Sequence, residues 1–233
     1  MIPPTGSHVP GFTFCYNRCG DAQEWLYDEL PYTSKGLTMS SSILTATEHE
    51  ASLSVQDNSL YEIVDGQRLD LQPMSAYATW LASRLHGQLW PYAEAHLLGT
   101  CITEMLFILD VQRDLRRRPD VAFVSAQRWP MDRDLPSTGD WEVVPDLAVE
   151  VISPNDVFKD VLAKVREYFH YGVLLVWVIS PEEQQIYVYE SPTQVRILSV
   201  DDKLTGGNAV SGFRLTVASL FQRSASSHPP STS

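Results

Sequence analysis

Three residues stand where ordinary folding would not place them, and together they could hydrolyse a phosphodiester. Glu150 interrupts the apolar run LAVEVI. In an extended strand Leu147, Val149 and Val151 point one way, and Ala148, Glu150 and Ile152 the other. A run apolar on both faces belongs to a covered strand, so this carboxylate faces protein on either side. An unpaired buried carboxylate costs several kcal/mol, which demands a cation, a metal or a proton. Asp120 follows Pro119 and opens the strand PDVAFV. Lys164 lies on the helix after Glu150. With Val157 at zero and about 100° per residue, Lys164 falls at about −20°, beside Tyr168 at about 20° and Val161 at about 40°. That is the margin of the face that packs on a sheet. Each residue also has an ordinary reading: a buried ion pair or sheet edge for Glu150, a turn for Asp120, an i to i+4 pair with Asp160 for Lys164. As a set they are more specific. Two carboxylates on neighbouring strands can hold one hard cation such as Mg²⁺. That ion can activate a water, and an ammonium aimed at the same point can stabilise developing charge.

The elements that must position these groups can be read around them. YEIV-DG-QRLDL predicts a hairpin turning at Asp65-Gly66. Ala78, Leu81, Ala82, Leu85 and Leu89 recur at three and four, predicting a helix from about Ser75 to His96. Gly99 marks the change to strand. CITEMLFIL reads as one strand, DVQRDLRRR as a charged turn, and PDVAFV as the next strand. After a polar loop, 127–141, comes the Glu150 strand. Ser153-Pro154-Asn155-Asp156 predicts a helix start capped by Asn155 or Asp156, and Gly172 a left-handed stop. VLLVWVIS, QIYVYE, VRILSV and GFRLTVASLF complete the ordered part. The order helix, three strands, helix, strands is an α/β layout, an α+β mixed sheet flanked by helices. Residues 1–38 are expected to be a poorly ordered extension, with Met39 as the natural start. Residues 39–222 are expected to form one domain, and 223–233 a disordered tail.

Composition narrows the function classes. The chain has 233 residues, 44% hydrophobic and 20% charged, which excludes disordered and collagen-like chains. The longest apolar run is Val173–Ile179, far short of the roughly 20 residues that span a bilayer. Three cysteines, Cys15, Cys19 and Cys101, make no disulfide framework, which points to the cytoplasm. A net charge of −12 argues against a broad phosphate-binding surface. The one basic stretch, Arg113, Arg116, Arg117 and Arg118 with Arg128 and Arg133, brackets Asp120. On charge alone this reads as a solvated basic loop; beside a site that hydrolyses phosphodiesters, Arg116, Arg117 and Arg118 are expected to contact nucleic-acid phosphates. Elbow, phosphate-loop and dinucleotide motifs are absent.

RRRPDVAFV and VPDLAVEVISPNDVFKDVLAKVREYFHYGVLLVWVISPEEQQIYVY, with YEIVDG and GFRLTVASLF, resemble the PD-(D/E)XK nuclease superfamily. Within it the likeness is to the Uma-two branch of restriction-endonuclease-like proteins, over about Tyr61 to Phe221. The resemblance implies a restriction-endonuclease-like core and a Mg²⁺-dependent endonuclease, Mn²⁺ being an alternative, acting on DNA. It makes Asp120 and Glu150 the metal-binding acids and the backbone carbonyl of Val151 a further ligand. Ile152 stands where the superfamily has its lysine, and Lys164 matches the branch's helix-borne replacement. Asp146 shares the Glu150 face about 13 Å away and is read as an outer or structural residue. The alternative is a catalytically silent nucleic-acid-binding or assembly module. A homodimer through strands 173–190 suits either.

Overall fold

The computed structural model describes residues 59–222 apart from 138 and 155. The expected extension at 1–38, the start at Met39, the pair Cys15 and Cys19, the cap Asn155 and the tail from 223 lie outside the described residues. The hairpin forms as expected, β1 (Tyr61–Val64) pairing antiparallel with β2 (Gln67–Asp70). Asp65 and Gly66 both take positive φ, 50° and 76°, the geometry of a tight two-residue turn. Helix α1 (Ala76–Ala95) is capped by Ser75, whose hydroxyl accepts from the Ala78 amide at 3.1 Å. It buries Ala78, Leu81, Ala82, Leu85 and Leu89, the residues whose spacing predicts it.

CITEMLFIL is two strands. β3 (Gly99–Thr103) ends at Glu104, which takes φ 51°, and β4 (Phe107–Asp110) enters another sheet. The charged turn also holds a short strand, β5 (Leu115–Arg117), paired with both β4 and β1. Then come β6 (Val121–Ser125) and β7 (Leu147–Val151). Among the described residues five strands therefore stand between the long helices, where three were expected. Helix α2 (Phe158–His170) starts at cap Val157, with no side-chain cap. Asp156 instead accepts from the Ser153 amide at 2.7 Å, closing the turn before the helix. Gly172 ends it with φ 94°.

β8 (Leu175–Ser180), β9 (Gln185–Ser191), β10 (Gln194–Leu198), β11 (Lys203–Thr205), β12 (Arg214–Thr216) and the short α3 (Val217–Phe221) follow. The central sheet has order β10-β9-β8-β7-β6-β3 and is mixed: β7 and β8, joined through α2, are parallel, and the other pairs are antiparallel. A second sheet, β2-β1-β5-β4, stands apart from it in pairing. Alternation divides the central sheet into two packed faces. Leu147, Val149 and Val151 join α1 in one core cluster, while Ala148 joins Val165 and Tyr168 of α2 in the other. Glu150 faces the second. β8 is buried along its whole length, so within the stretch 173–190 expected at a dimer interface its Val and Trp side chains belong to the core. Among the described residues, no helix is long and apolar enough to cross a membrane.

Candidate active site

The register of β6 and β7 brings the two acids together. Val121 lies opposite Val149, so Asp120, one step before β6, falls at the end of the ladder beside Glu150 and Val151. There its Oδ2 accepts the Val151 amide at 2.6 Å. Asp120 thus takes over a backbone bond where the ladder ends. Asp120, Glu150, Val151 and Lys164 line one cleft of about 180 Å³, together with Arg118 and Asp156.

Glu150 is 9% exposed and has two partners from α2. Lys164 Nζ donates to its Oε2 at 3.1 Å, and the Tyr168 hydroxyl to its Oε1 at 2.6 Å. Lys164 and Tyr168 are four apart, so one helix face delivers both. Lys164 Nζ also lies 3.1 Å from Glu62 Oε1. The bland pairing with Asp160 is replaced by these two longer-range partners.

Glu62, on β1, is buried and belongs to a second charge network. Arg117 Nη1 donates to its Oε2 at 2.7 Å, and the Arg118 amide to its Oε1 at 3.0 Å. Arg117 Nε continues to Glu167 Oε2 at 2.7 Å. Arg117 is 6% exposed and committed to two carboxylates, so it cannot meet a phosphate as expected from the sequence. Arg116 pairs with Asp114 and Asp140 away from the cleft. Arg118 is the one of the three that lines the cleft. Its guanidinium is held by the carbonyls of Tyr61, at 3.1 Å, and Glu104. Asp146, at the far end of β7, accepts from the Ser125 amide at 2.7 Å and pairs with Arg128 at 2.9 Å. It ties strands together and does not line the cleft.

The electrostatics differ sharply across Lys164. Burial, followed by the charge of Glu150, pushes Asp120 up to about 8. Burial also raises Glu150, against the pull of Lys164. Burial would raise Glu62 too, but Lys164 and Arg117 outweigh it and hold that carboxyl below its ordinary value. Lys164 stays fully charged, since Glu150 and Glu62 overcome its burial. Burial and the neighbouring carboxylates raise Tyr168, keeping its hydroxyl a donor. Two mutually repelling oxygen donors in an open cleft suit a hard divalent ion that retains several waters. Among the described residues, no group of three or more His, Cys, Asp or Glu gathers to hold a metal. An ion here would therefore use the two carboxylates with backbone oxygen and water.

Sequence reasoning missed Glu62 and treated Tyr168 as packing alone. A signal existed for Tyr168: a buried tyrosine hydroxyl needs a partner, and it stands one turn from Lys164. Glu62 gave little signal, because a Glu between Tyr and Ile in a hairpin strand looks like a solvent-facing position.

A mixed sheet with a parallel β7-α2-β8 unit and two acids at one strand end defines a restriction-endonuclease-like nuclease fold. The chain matches over residues 47–218 the Uma2 family model, described as "Putative restriction endonuclease", and belongs to that family. Among solved structures it is similar to "a putative nuclease belonging to DUF820" from Anabaena variabilis. The TM-score is 0.61 at 17% identity, covering 69% of this chain and 89% of the other. At that identity the likeness shows the fold. No curated protein matches.

Proposed function

We propose that this protein is a Mg²⁺- or Mn²⁺-dependent endonuclease that hydrolyses phosphodiester bonds in DNA in the cytoplasm. One observation carries the reading: Asp120 and Glu150, both with raised pKa, share an accessible cleft with a lysine that is fully charged. Family membership supports it, since restriction-endonuclease-like families generally use a divalent metal. Asp120, Glu150 and the Val151 carbonyl would hold the ion. Bound there, a divalent cation lowers the pKa of a coordinated water and neutralises charge on the phosphate.

This chain's own groups do the rest. Asp120 would have to be deprotonated to hold the ion, whose charge would offset the burial and the Glu150 charge that raise its pKa. Tyr168 fixes the rotamer of Glu150 by donating to Oε1, while the remaining lone pairs of the carboxylate stay open. Lys164 supplies a fixed positive charge toward the phosphate, and Glu62 holds it from behind. This places the lysine on α2 instead of at 152, where Ile152 stands. Arg118 offers the neighbouring positive charge for an anionic backbone.

The test is incubation of plasmid, single-stranded DNA and RNA with the purified chain and Mg²⁺ or Mn²⁺. Cleavage of DNA is expected, and its loss by more than a hundredfold in Asp120→Asn and Glu150→Gln, beyond the roughly 10–100-fold cost of changing an outer partner. Cleavage unchanged in both variants contradicts the assignment. The net charge of −12 and Ile152 favour a second reading, a silent binding module. Its outcome is nucleic-acid binding with no metal-dependent turnover.

A further inference from the structure

Next to the cleft lies a larger groove of about 450 Å³. The two are continuous, because Ser153 and Asp156 line both. Its walls are aromatic: Tyr187 and Tyr189 from β9, Tyr77 from α1, and Phe158 at the start of α2. Phe158 is 71% exposed, a large ring left in water at the mouth of a groove. The polar lining has one sign. Asp156, Glu182 and Glu183 contribute carboxylates, and no lysine or arginine lines the groove among the described residues. Ser180 Oγ donates to Glu183 Oε2, which fixes that carboxylate. The cations, Lys164 and Arg118, line the cleft instead.

That segregation decides what fits. A phosphate is repelled from the groove, whereas in the cleft Lys164, Arg118 and the divalent ion of the proposed function would together offset the carboxylates and hold it. A nucleobase carries no charge, stacks its face on aromatic rings, and in adenine, cytosine and guanine presents an amine that donates to carboxylates. Thymine and uracil carry a carbonyl oxygen in place of that amine, which carboxylates repel, and keep the single ring N3–H as their donor on that edge. A base inside a duplex cannot offer its face to protein rings without leaving the stack.

We propose that this groove binds an unpaired, amine-bearing nucleobase adjoining the phosphate held at the cleft, so that the site acts on single-stranded or locally unpaired nucleic acid. This rests on the nuclease reading of the cleft and names its substrate class.

The test uses the full chain carrying Asp120→Asn, so that binding is read without cleavage. Fluorescence anisotropy compares labelled oligo-dC, oligo-dU and a duplex. Cytosine and uracil have the same ring and differ by amine against carbonyl. Oligo-dC is expected to bind about fivefold or more tighter than oligo-dU and the duplex. Phe158→Ala, at an exposed position, is expected to weaken oligo-dC binding by about fivefold or more, the range of one lost stacking contact. Glu182→Gln, also exposed, is expected to narrow the dC-to-dU ratio. Equal affinity for dC and dU, preference for duplex, or indifference to Phe158→Ala in a chain of unchanged melting temperature overturns the proposal. Cleavage by the wild-type chain together with such indifference removes the groove and leaves the nuclease reading. A dC preference without cleavage does the reverse.

Discussion

Lys164 stands between two groups of acids whose surroundings are opposite. Behind it, Glu62 meets Lys164, Arg117 and a backbone amide, and Arg117 passes on to Glu167. Every charge there has a partner, and the carboxyl of Glu62 is held down in spite of burial. In front, burial pushes both Asp120 and Glu150 up, and the charge of Lys164 does not offset it. The balanced side is finished as folded. The unbalanced side is short of positive charge, in a cleft that solvent reaches, and so has a place for an ion. A buried ion network is thus a support, and its incomplete end is the candidate reactive centre.

The comparison can be broken from either side. The largest effect expected is the loss of cleavage in Asp120→Asn and Glu150→Gln, with folding retained, because these changes relieve repulsion. On the balanced side the order reverses. Arg117→Met leaves Glu62 and Glu167 short of a cation and is expected to cost about 3–5 kcal/mol of stability, read by denaturant unfolding. Tyr168→Phe sits at the junction. It removes a bond that favours ionised Glu150, and is expected to weaken Mn²⁺ affinity by about 10–100-fold, measured by calorimetry.

The smallest effect is on pH dependence, where the two sides have opposite sign. Glu62 is lowered from 4.5, so its contribution is present above that value and is lost as pH falls through the lowered one. Asp120 is raised from 3.8 to about 8, so its contribution is full below 3.8, falls as pH rises from there, and is gone once pH has passed about 8. Thermal unfolding in a chelator is expected to show stability falling on both limbs. Asp120→Asn is expected to flatten the limb that falls toward pH 8, and Glu62→Gln the acid limb. A single limb, or both flattened by one variant, breaks the comparison.

The front of the site was legible in the sequence because its residues violate local patterns. Glu150 breaks an apolar strand, and Lys164 sits on the margin of a packing face. Asp120 was legible more weakly, since Asp beside Pro is ordinary turn chemistry, and it gained weight from standing with Glu150 and Lys164 and from the resemblance. The back was not legible. Glu62 faces inward because β1 pairs with β5, Ile63 opposite Arg116, a contact between residues 53 apart that no local period records. The same pairing turns Arg117 from an apparent phosphate contact into a buried partner. The hairpin at Asp65-Gly66 and α1 followed their turn and spacing signals. The break between β3 and β4 did not, because apolar content continues through Met105 and Leu106 while the backbone turns at Glu104.

The central claim is that Asp120 and Glu150 share one divalent ion. Calorimetric titration of Mn²⁺ into the full chain near neutral pH, in buffers of different ionisation heat, tests it most directly. One ion per chain is expected, with release of close to one proton, because Asp120 enters the reaction protonated. Asp120→Asn should abolish both the binding and the proton release. Saturable binding that is unaltered by Asp120→Asn, or no binding by the wild-type chain, would contradict it.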